Sequence, residues 1–268
     1  MSVWLTDLAD ILREAGVPVV EMKYERGPFA GRKWDQVGAN GRGLAAFKHV
    51  MWHHDASPAG PSGGAKVDDN GIGTSPTGAL GWCMYSDVAP AASIWVDMQG
   101  TWFLYVSGLA WHAGRGGPGW GVGTNMMNYY ALGIETDHTT GEPWPAKQID
   151  SLRRGTAAIM DAYKMDPTPG LLFHRTWTDG GIDNVPTLPT RGRKNDPDGI
   201  DLTEERKRVA ALIQQMHKND KRLKRLERLR RGWRRRRNAI RASGKKAGLA
   251  SARTKIRSLN KRIKALRG

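Results

Sequence analysis

The distribution of charge divides this sequence into two parts. Residues 217–268 contain 22 Lys and Arg residues but only Asp220 and Glu227 as acids, a net charge of +20. The preceding 216 residues contain 20 basic and 24 acidic residues, a net charge of −4. Such an asymmetry within one chain predicts two regions with different partners. We place the boundary between a domain of residues 1–205 and a basic region of residues 206–268.

The basic region has a helical pattern. From Leu202 onward apolar residues keep near-heptad spacing, which is interrupted at Gly244 and Gly248 and resumes as far as Leu266. This spacing predicts two helices that fold back as a hairpin or that associate between chains. The remaining faces are almost wholly Lys and Arg.

A charge run of this density predicts attraction to polyanions. The candidate partners are an anionic polymer, a membrane surface and, as the competing alternative, the phosphate backbone of nucleic acid. The densest cluster of candidate polyanion-binding residues consists of Arg230, Arg231, Arg234, Arg235, Arg236 and Arg237.

Three classes of protein are disfavoured: secreted proteins, membrane-spanning proteins and proteins stabilised by disulfides. The N-terminal residues lack the basic and apolar regions of a secretory signal. No stretch reaches the roughly 18 consecutive apolar residues that would indicate a membrane span. Cys83 is the one cysteine, so no intrachain disulfide can form, and we expect it to be a small buried apolar residue. These features fit a chain that folds in a reducing cytoplasm.

Strand and helix patterns alternate in the first 205 residues, which predicts an α/β domain with its site at one edge of the sheet. A helix at 6–14 would be capped by Thr6. The predicted elements are strands at 17–20, 44–53, 91–96, 101–106, 131–136 and 170–174, helices at 80–85 and 145–163, and long loops at 27–43, 57–81 and 176–201.

The strand at 44–53 ends in two histidines and an aspartate, within Val50–Ser57. A strand end is a rigid position for a metal ligand, and neutral imidazole is a common ligand of zinc. With His174 and Asp196, His53 would form a His/His/carboxylate set that leaves one zinc position open. The alternative is a polar strand end, and no spacing rule decides between them.

Five motifs resemble a known family: WHHDAS, AWHAGRG, ALGIETDHTTGEPWP, FHRTW and GRKNDPDG, in this order. They are similar to the zinc-dependent type-2 N-acetylmuramoyl-L-alanine amidases, which include peptidoglycan recognition proteins. The resemblance is closest to the amidase domains of endolysins from phages of actinobacteria and covers about residues 4–205. It implies a central mixed β-sheet flanked by helices and one bound zinc ion.

The resemblance also implies roles for individual residues. It places zinc on His53, His174 and Asp196, and the choice of His53 over His54 depends on the family's register. Lys194 matches the lysine that steadies the oxyanion.

Glu135 matches the glutamate that acts as general base and acid in one branch. Some relatives use a tyrosine just before the hairpin strand, where this chain has Ala92. That departure favours Glu135.

Four further residues are candidates for substrate contact. His54 could instead support a zinc ligand, and His112 could instead cap a loop. Aromatic rings in glycine-rich or site-adjacent loops suit stacking on sugar. The set is His54, Trp111, His112 and Trp177.

The expected function is that of a phage endolysin that cleaves the bond between N-acetylmuramic acid and L-alanine of peptidoglycan. Such an enzyme would stay in the host cytoplasm until holin-type release and then act on the cell wall. Its basic region would bind an anionic envelope polymer or a membrane surface. The alternatives are a non-catalytic peptidoglycan-binding module and a nucleic-acid-binding protein that acts through the basic region.

Overall fold

The computed structural model describes residues 2–55, 61, 63–178, 194–242 and 248–267. The chain divides into two compact units, Met1–Ala210 and Ala211–Gly268. The helices are α1 Leu8–Glu14, α2 Gly78–Tyr85, α3 Ala146–Ala162, α4 Pro167–Gly170, α5 His174–Thr178, α6 Leu202–Ala242 and α7 Leu249–Arg267.

A mixed β-sheet is the centre of the first unit. Within the described residues it has eight strands in the order β3-β4-β1-β6-β5-β7-β2-β8. The β3–β4 and β5–β6 pairs are antiparallel and the other pairs are parallel. The predicted mixed sheet flanked by helices is confirmed. The strands are β1 Val19–Met22, β2 His49–Trp52, β3 Gly63–Val67, β4 Ile72–Thr77, β5 Ile94–Val96, β6 Trp102–Leu104, β7 Ala131–Thr136 and β8 Leu171–Phe173.

Helices α1 and α3 pack against each other, and α3 lies on one face of the sheet. The indole of Trp52 donates a hydrogen bond to Thr156 Oγ1 over 3.0 Å, and that of Trp102 donates to Ser151 Oγ over 3.1 Å. A Cβ on Gly155 would lie 2.3 Å from the Trp102 ring, so glycine lets the helix approach closely. The predicted helix at 145–163 is confirmed.

The opposite face of the sheet carries α2 and a second group of buried side chains. Met84 of α2 packs in one cluster with Trp95 and Tyr105. Cys83 belongs to the same cluster and is 3% exposed, which agrees with its predicted role as a small buried apolar residue. This face continues to the strand ends that carry the candidate site.

The predicted loop at 57–81 is wrong over much of its length, because β3, β4 and the start of α2 lie there. This hairpin forms the edge of the sheet and is partly exposed, so its sequence shows no apolar alternation. The cap prediction is also wrong: Asp7, not Thr6, precedes α1, and it makes no side-chain cap hydrogen bond. Residues 179–193 of the predicted loop at 176–201, and Gly244, lie outside the described residues.

Helices α6 and α7 pack against each other in the second unit. Leu226 of α6 forms a buried cluster with Leu259 and Ile263 of α7. Of the two predicted arrangements, the hairpin within one chain is therefore the one observed. No helix in the described part of the chain combines the length and apolar character that crossing a membrane requires.

Candidate active site

Three adjacent parallel strands bring their ends to the same level. Trp52 of β2 pairs with Ile134 of β7 on one side and with Phe173 of β8 on the other. Side chains in register on neighbouring strands share a face and lie about 5 Å apart. The register therefore places the next residue of each strand side by side. These residues are Glu135, His53 and His174.

The three predicted metal ligands lie together. Nδ1 of His53 is 2.9 Å from Nδ1 of His174, and these atoms lie 3.4 Å and 3.1 Å from Oδ2 of Asp196. All three residues are buried. The corners of a tetrahedral zinc site are about 3.3 Å apart, given metal–ligand distances of about 2.0–2.1 Å. The spacing of the donor atoms fits a zinc ion and leaves a fourth position open.

A chain of hydrogen bonds fixes which nitrogen of His53 faces the cluster. Neutral His112 donates from Nε2 to the carbonyl of Ala131 over 3.2 Å, so its Nδ1 accepts a hydrogen bond from His53 Nε2 over 3.0 Å. The neutral forms are favoured because burial lowers the pKa of His53 to about 4 and that of His112 well below its usual value. The proton of His53 therefore sits on Nε2, and Nδ1 presents a lone pair.

His174 is oriented in the same way. Its Nε2 lies 3.1 Å from the carbonyl of Ala113, which can only accept a hydrogen bond. The proton on Nε2 is therefore directed at that carbonyl, and Nδ1 is the ring nitrogen that faces His53 and Asp196. Two imidazole nitrogens and a carboxylate oxygen thus converge within 3.4 Å of one another. The donor set fits a divalent metal ion, which needs neutral imidazoles and an ionised carboxylate.

Glu135 is partly buried and lines the same cavity as the three donors. Burial raises the pKa of its carboxyl group well above the usual value. The negative charges of Asp196 and Asp55 raise this pKa further, whereas the positive charge of Lys194 lowers it. A glutamate with a raised pKa can both accept and return a proton near neutral pH.

The cavity measures about 500 Å³ and opens beside the donor cluster. Lys194 lines it with an exposed side chain, while its backbone N–H donates to Thr178 Oγ1 over 3.0 Å. Trp82 and Val88 form an apolar wall and are 58% and 51% exposed. No motif in the sequence predicted this wall, although Trp82 within the helix predicted at 80–85 is a large aromatic residue that could have indicated it.

The four predicted substrate residues have different positions. Trp111 lines the cavity and is partly exposed, so it can contact a ligand. His112 also borders the cavity, but its ring nitrogens are used by His53 and Ala131.

Gly133 allows the position of His112, because a Cβ on Gly133 would lie 2.4 Å from the His112 ring. Trp177 is 0% exposed, and its ring packs against Gly116. It offers no face to a sugar, so the stacking role predicted for Trp177 is wrong.

His54 borders the cavity, but its ring belongs to a second group of side chains. Its Nδ1 lies 3.2 Å from Oδ1 of Asp198, and Nε2 of His138 lies 3.4 Å from the same oxygen. No motif in the sequence assigned a role to His138 or Asp198. No local spacing connects these three positions along the chain.

The predicted polyanion-binding arginines lie on α6 in the second unit. Arg231, Arg234, Arg235 and Arg236 are exposed, whereas Arg230 and Arg237 are half-buried. The guanidinium of Arg236 lies 5.2 Å from the centre of the Trp233 ring.

The family model described as N-acetylmuramoyl-L-alanine amidase matches residues 43–199, more than half of the chain. No curated protein matches the sequence.

Several solved structures are similar to this chain. The catalytic domain of XlyA is 18% identical with a TM-score of 0.43, over 74% of this chain and 99% of that one. A mutant endolysin from Bacillus subtilis is 20% identical with a TM-score of 0.43, over 74% and 99%. A selenomethionine derivative of AmpD is 19% identical with a TM-score of 0.43, over 66% and 92%. Identities and TM-scores this low carry no information about chemistry.

Proposed function

Because the chain belongs to the N-acetylmuramoyl-L-alanine amidase family, we propose that it hydrolyses the amide bond between N-acetylmuramic acid and L-alanine in peptidoglycan. The proposal includes one zinc ion, held by His53, His174 and Asp196. The observation that carries it is the set of three buried donor atoms within 3.4 Å of one another. The three residues line a cavity of about 500 Å³, which is within the range of small-ligand pockets.

A bound zinc ion would polarise the amide carbonyl and lower the pKa of a neighbouring water molecule. We assign the proton transfer to Glu135. Its carboxylate accepts a proton as the water oxygen attacks the carbonyl carbon, and returns that proton to the alanine nitrogen as the carbon–nitrogen bond breaks. The products are a lactyl carboxyl group and a peptide with a free N-terminal alanine.

Lys194 is the group that we assign to the developing negative charge on the carbonyl oxygen. Its side chain lines the cavity that also contains Glu135 and Asp196. An ammonium group that borders a partly enclosed cavity stabilises an oxyanion more strongly than it would in bulk water. Trp111, Trp82 and Val88 provide the adjoining wall, which suits the apolar faces of a sugar or of the stem peptide.

The proposed biological role is host-cell lysis as a phage endolysin. This role is supported by the resemblance of the five motifs to endolysin amidases of actinobacterial phages. The enzyme would be held in the host cytoplasm until holin-type release and would then act on the cell wall.

The basic hairpin is proposed to bind an anionic envelope polymer or a membrane surface. Support comes from the net charge of +20 over residues 217–268 and from the exposed arginines of α6. Exposed cationic groups attract polyanions through their summed field, and this attraction weakens as salt rises. Nucleic acid is the competing partner, since its phosphates would be recognised by the same groups.

Product analysis tests the amidase activity. Purified actinobacterial sacculi are digested with the full chain, with and without chelator, and the newly formed termini are identified. We expect free N-terminal alanine, and we expect chelator to abolish its release. New reducing sugar ends without alanine amines would overturn the assignment of the bond.

A charge variant tests the role of the hairpin. The six clustered arginines are replaced by glutamine, which is also a good helix former. We expect normal cleavage of soluble muropeptides but weaker binding to sacculi, with a smaller dependence on salt. Unchanged binding to sacculi, or a loss of binding to nucleic acid alone, would contradict the proposed partner.

A further inference from the structure

We propose that His54, His138 and Asp198 form a second site for a divalent transition-metal ion such as Zn²⁺. The proposal does not depend on the proposed function, because it concerns other donor atoms. Two imidazoles and one carboxylate are the ligand types that zinc favours. The metal would fasten the chain around Asp198 to the end of β2.

Strand geometry separates this second site from the first. The backbone of His53 donates to the carbonyl of Ile134, and that of Asp55 donates to Thr136, so the parallel ladder continues past β2. Successive side chains along an extended strand point to opposite faces. The side chain of His53 therefore lies on one face of the strand end, and that of His54 lies on the other.

The donor atoms of the second site converge on one oxygen. Oδ1 of Asp198 lies 3.2 Å from Nδ1 of His54 and 3.4 Å from Nε2 of His138. The three donor atoms lie within 4.8 Å of one another. Edges of 3.2 Å and 3.4 Å match the spacing of about 3.3 Å in a tetrahedral zinc site.

Two of these atoms are buried and lack a hydrogen bond. Nε2 of His138 and Oδ1 of Asp198 lie 3.4 Å apart without hydrogen-bond geometry, and among the described residues neither atom has another hydrogen-bond partner. His138 is only 1% exposed, so bulk water does not reach this nitrogen. Buried polar atoms in native proteins nearly always have a partner, and an absent ion is one of the recognised explanations for an exception.

The tautomer of His54 also leaves a lone pair on the side of the site. The backbone N–H of Asp198 points at His54 Nδ1 in a long hydrogen bond of 3.4 Å, and Nε2 lies 3.3 Å from the hydroxyl of Thr140. Nδ1 is therefore the unprotonated nitrogen, and it faces a carboxylate oxygen that also carries lone pairs. A cation would relieve this contact and replace the long hydrogen bond.

The surroundings hold the donors in place. The ring of His138 stacks on Trp144, with centroids 4.1 Å apart, and the Trp144 indole donates to the carbonyl of Asp198 over 2.9 Å. The backbone N–H of Gly141 donates to Asp198 Oδ2 over 2.7 Å, which leaves Oδ1 for the metal. Such outer contacts orient the ligands of metal sites.

Metal stoichiometry tests the proposal. The full chain, prepared without a histidine tag, is stripped with chelator, reloaded with Zn²⁺, passed over a desalting column and analysed by elemental mass spectrometry. We expect two zinc ions per wild-type chain. His138→Phe, which keeps an aromatic ring on Trp144, and Asp198→Asn, which keeps the shape of the side chain, should each bind one.

Two further variants complete the test. Asp196→Asn should lose the first ion and keep the second, so failure of the proposed function and failure of this inference are distinguishable. Asp68→Asn, a loop carboxylate bonded to backbone N–H groups of Asn70 and Ile72, is the matched control and should keep both ions. Two ions in Asp198→Asn, or a wild-type chain whose single ion is lost only in Asp196→Asn, would overturn the second site.

Discussion

The two units of this chain use charged groups in opposite ways. The first unit buries His53, His174 and Asp196, and hydrogen bonds to His112 and to the carbonyl of Ala113 orient the two imidazoles. The second unit exposes most of its arginines around the small buried apolar cluster between α6 and α7. We therefore expect the buried groups to act through their positions, so that the loss of any one of them abolishes function. We expect the exposed groups to act through their summed field, so that each one of them can be replaced.

The largest expected effect is the loss of a donor atom in the first unit. His174→Ala or Asp196→Ala should lower kcat/KM for a soluble muropeptide by at least about 10³-fold, since ion-dependent charge stabilisation is worth several kcal/mol. His217→Ala on α6 is the control from the second unit and should leave kcat/KM unchanged. A loss of kcat/KM in His217→Ala as large as that in His174→Ala would refute this difference between the two units.

Glu135→Gln should lower kcat by about 10²–10³-fold while zinc binding is retained, because general acid–base catalysis contributes about 10²–10⁴-fold. The pKa of Glu135 is raised, so the wild-type group takes up its proton, and loses its function as a base, at a higher pH than an ordinary glutamate. The wild-type rate should therefore fall as the pH drops, whereas glutamine cannot titrate. A pH–rate profile at saturating zinc that keeps the same acidic limb in Glu135→Gln would assign the base elsewhere.

His112→Phe should weaken zinc binding at the first site by about 10–100-fold, since the ring would no longer accept the hydrogen bond of His53 Nε2. His49→Phe is a matched control: His49 is also buried and bonded to a carbonyl, that of Trp120. Competition with a chromogenic chelator measures both affinities. Equal zinc affinity in His112→Phe and the wild type would show that His112 only fills space.

The smallest expected effect belongs to single arginines of the second unit. Arg234→Gln should weaken binding to sacculi by less than about fivefold, because one cationic group near an anionic surface contributes about 1 kcal/mol. The loss should shrink as salt rises, and muropeptide cleavage should not change. A single substitution that abolished sacculus binding would indicate a specific pocket instead of a summed field.

Part of the fold could be predicted because local pattern and tertiary burial agree. Strand β7 has the predicted bounds of 131–136, and α3 differs by one residue at each end from the helix predicted at 145–163. Strands β3 and β4 were missed, since a partly exposed edge hairpin rich in Gly and Thr needs no apolar alternation. Strand β2 covers only 49–52, because Leu44 forms an isolated bridge with Val3 and residues 45–48 do not belong to a strand.

The candidate site was predictable only as a set of residue types. His53 and His174 each follow a strand, and the motif resemblance selected Glu135, Lys194 and Asp196. What the sequence could not supply is the register of β7, β2 and β8, which is set by tertiary packing. The role of His112 depends on the space above Gly133, and His138 and Asp198 meet His54 only in the folded chain.

Zinc titration of the metal-free chain tests the central claim most directly. Amide cleavage of a soluble muropeptide is followed as zinc is added to the wild type and to Asp196→Asn, with bound metal measured in the same samples. We expect no cleavage without metal, full cleavage in the wild type once the site formed by His53, His174 and Asp196 is filled, and none in Asp196→Asn at any zinc concentration. Full cleavage by a chain that carries far less than one zinc ion would contradict the account.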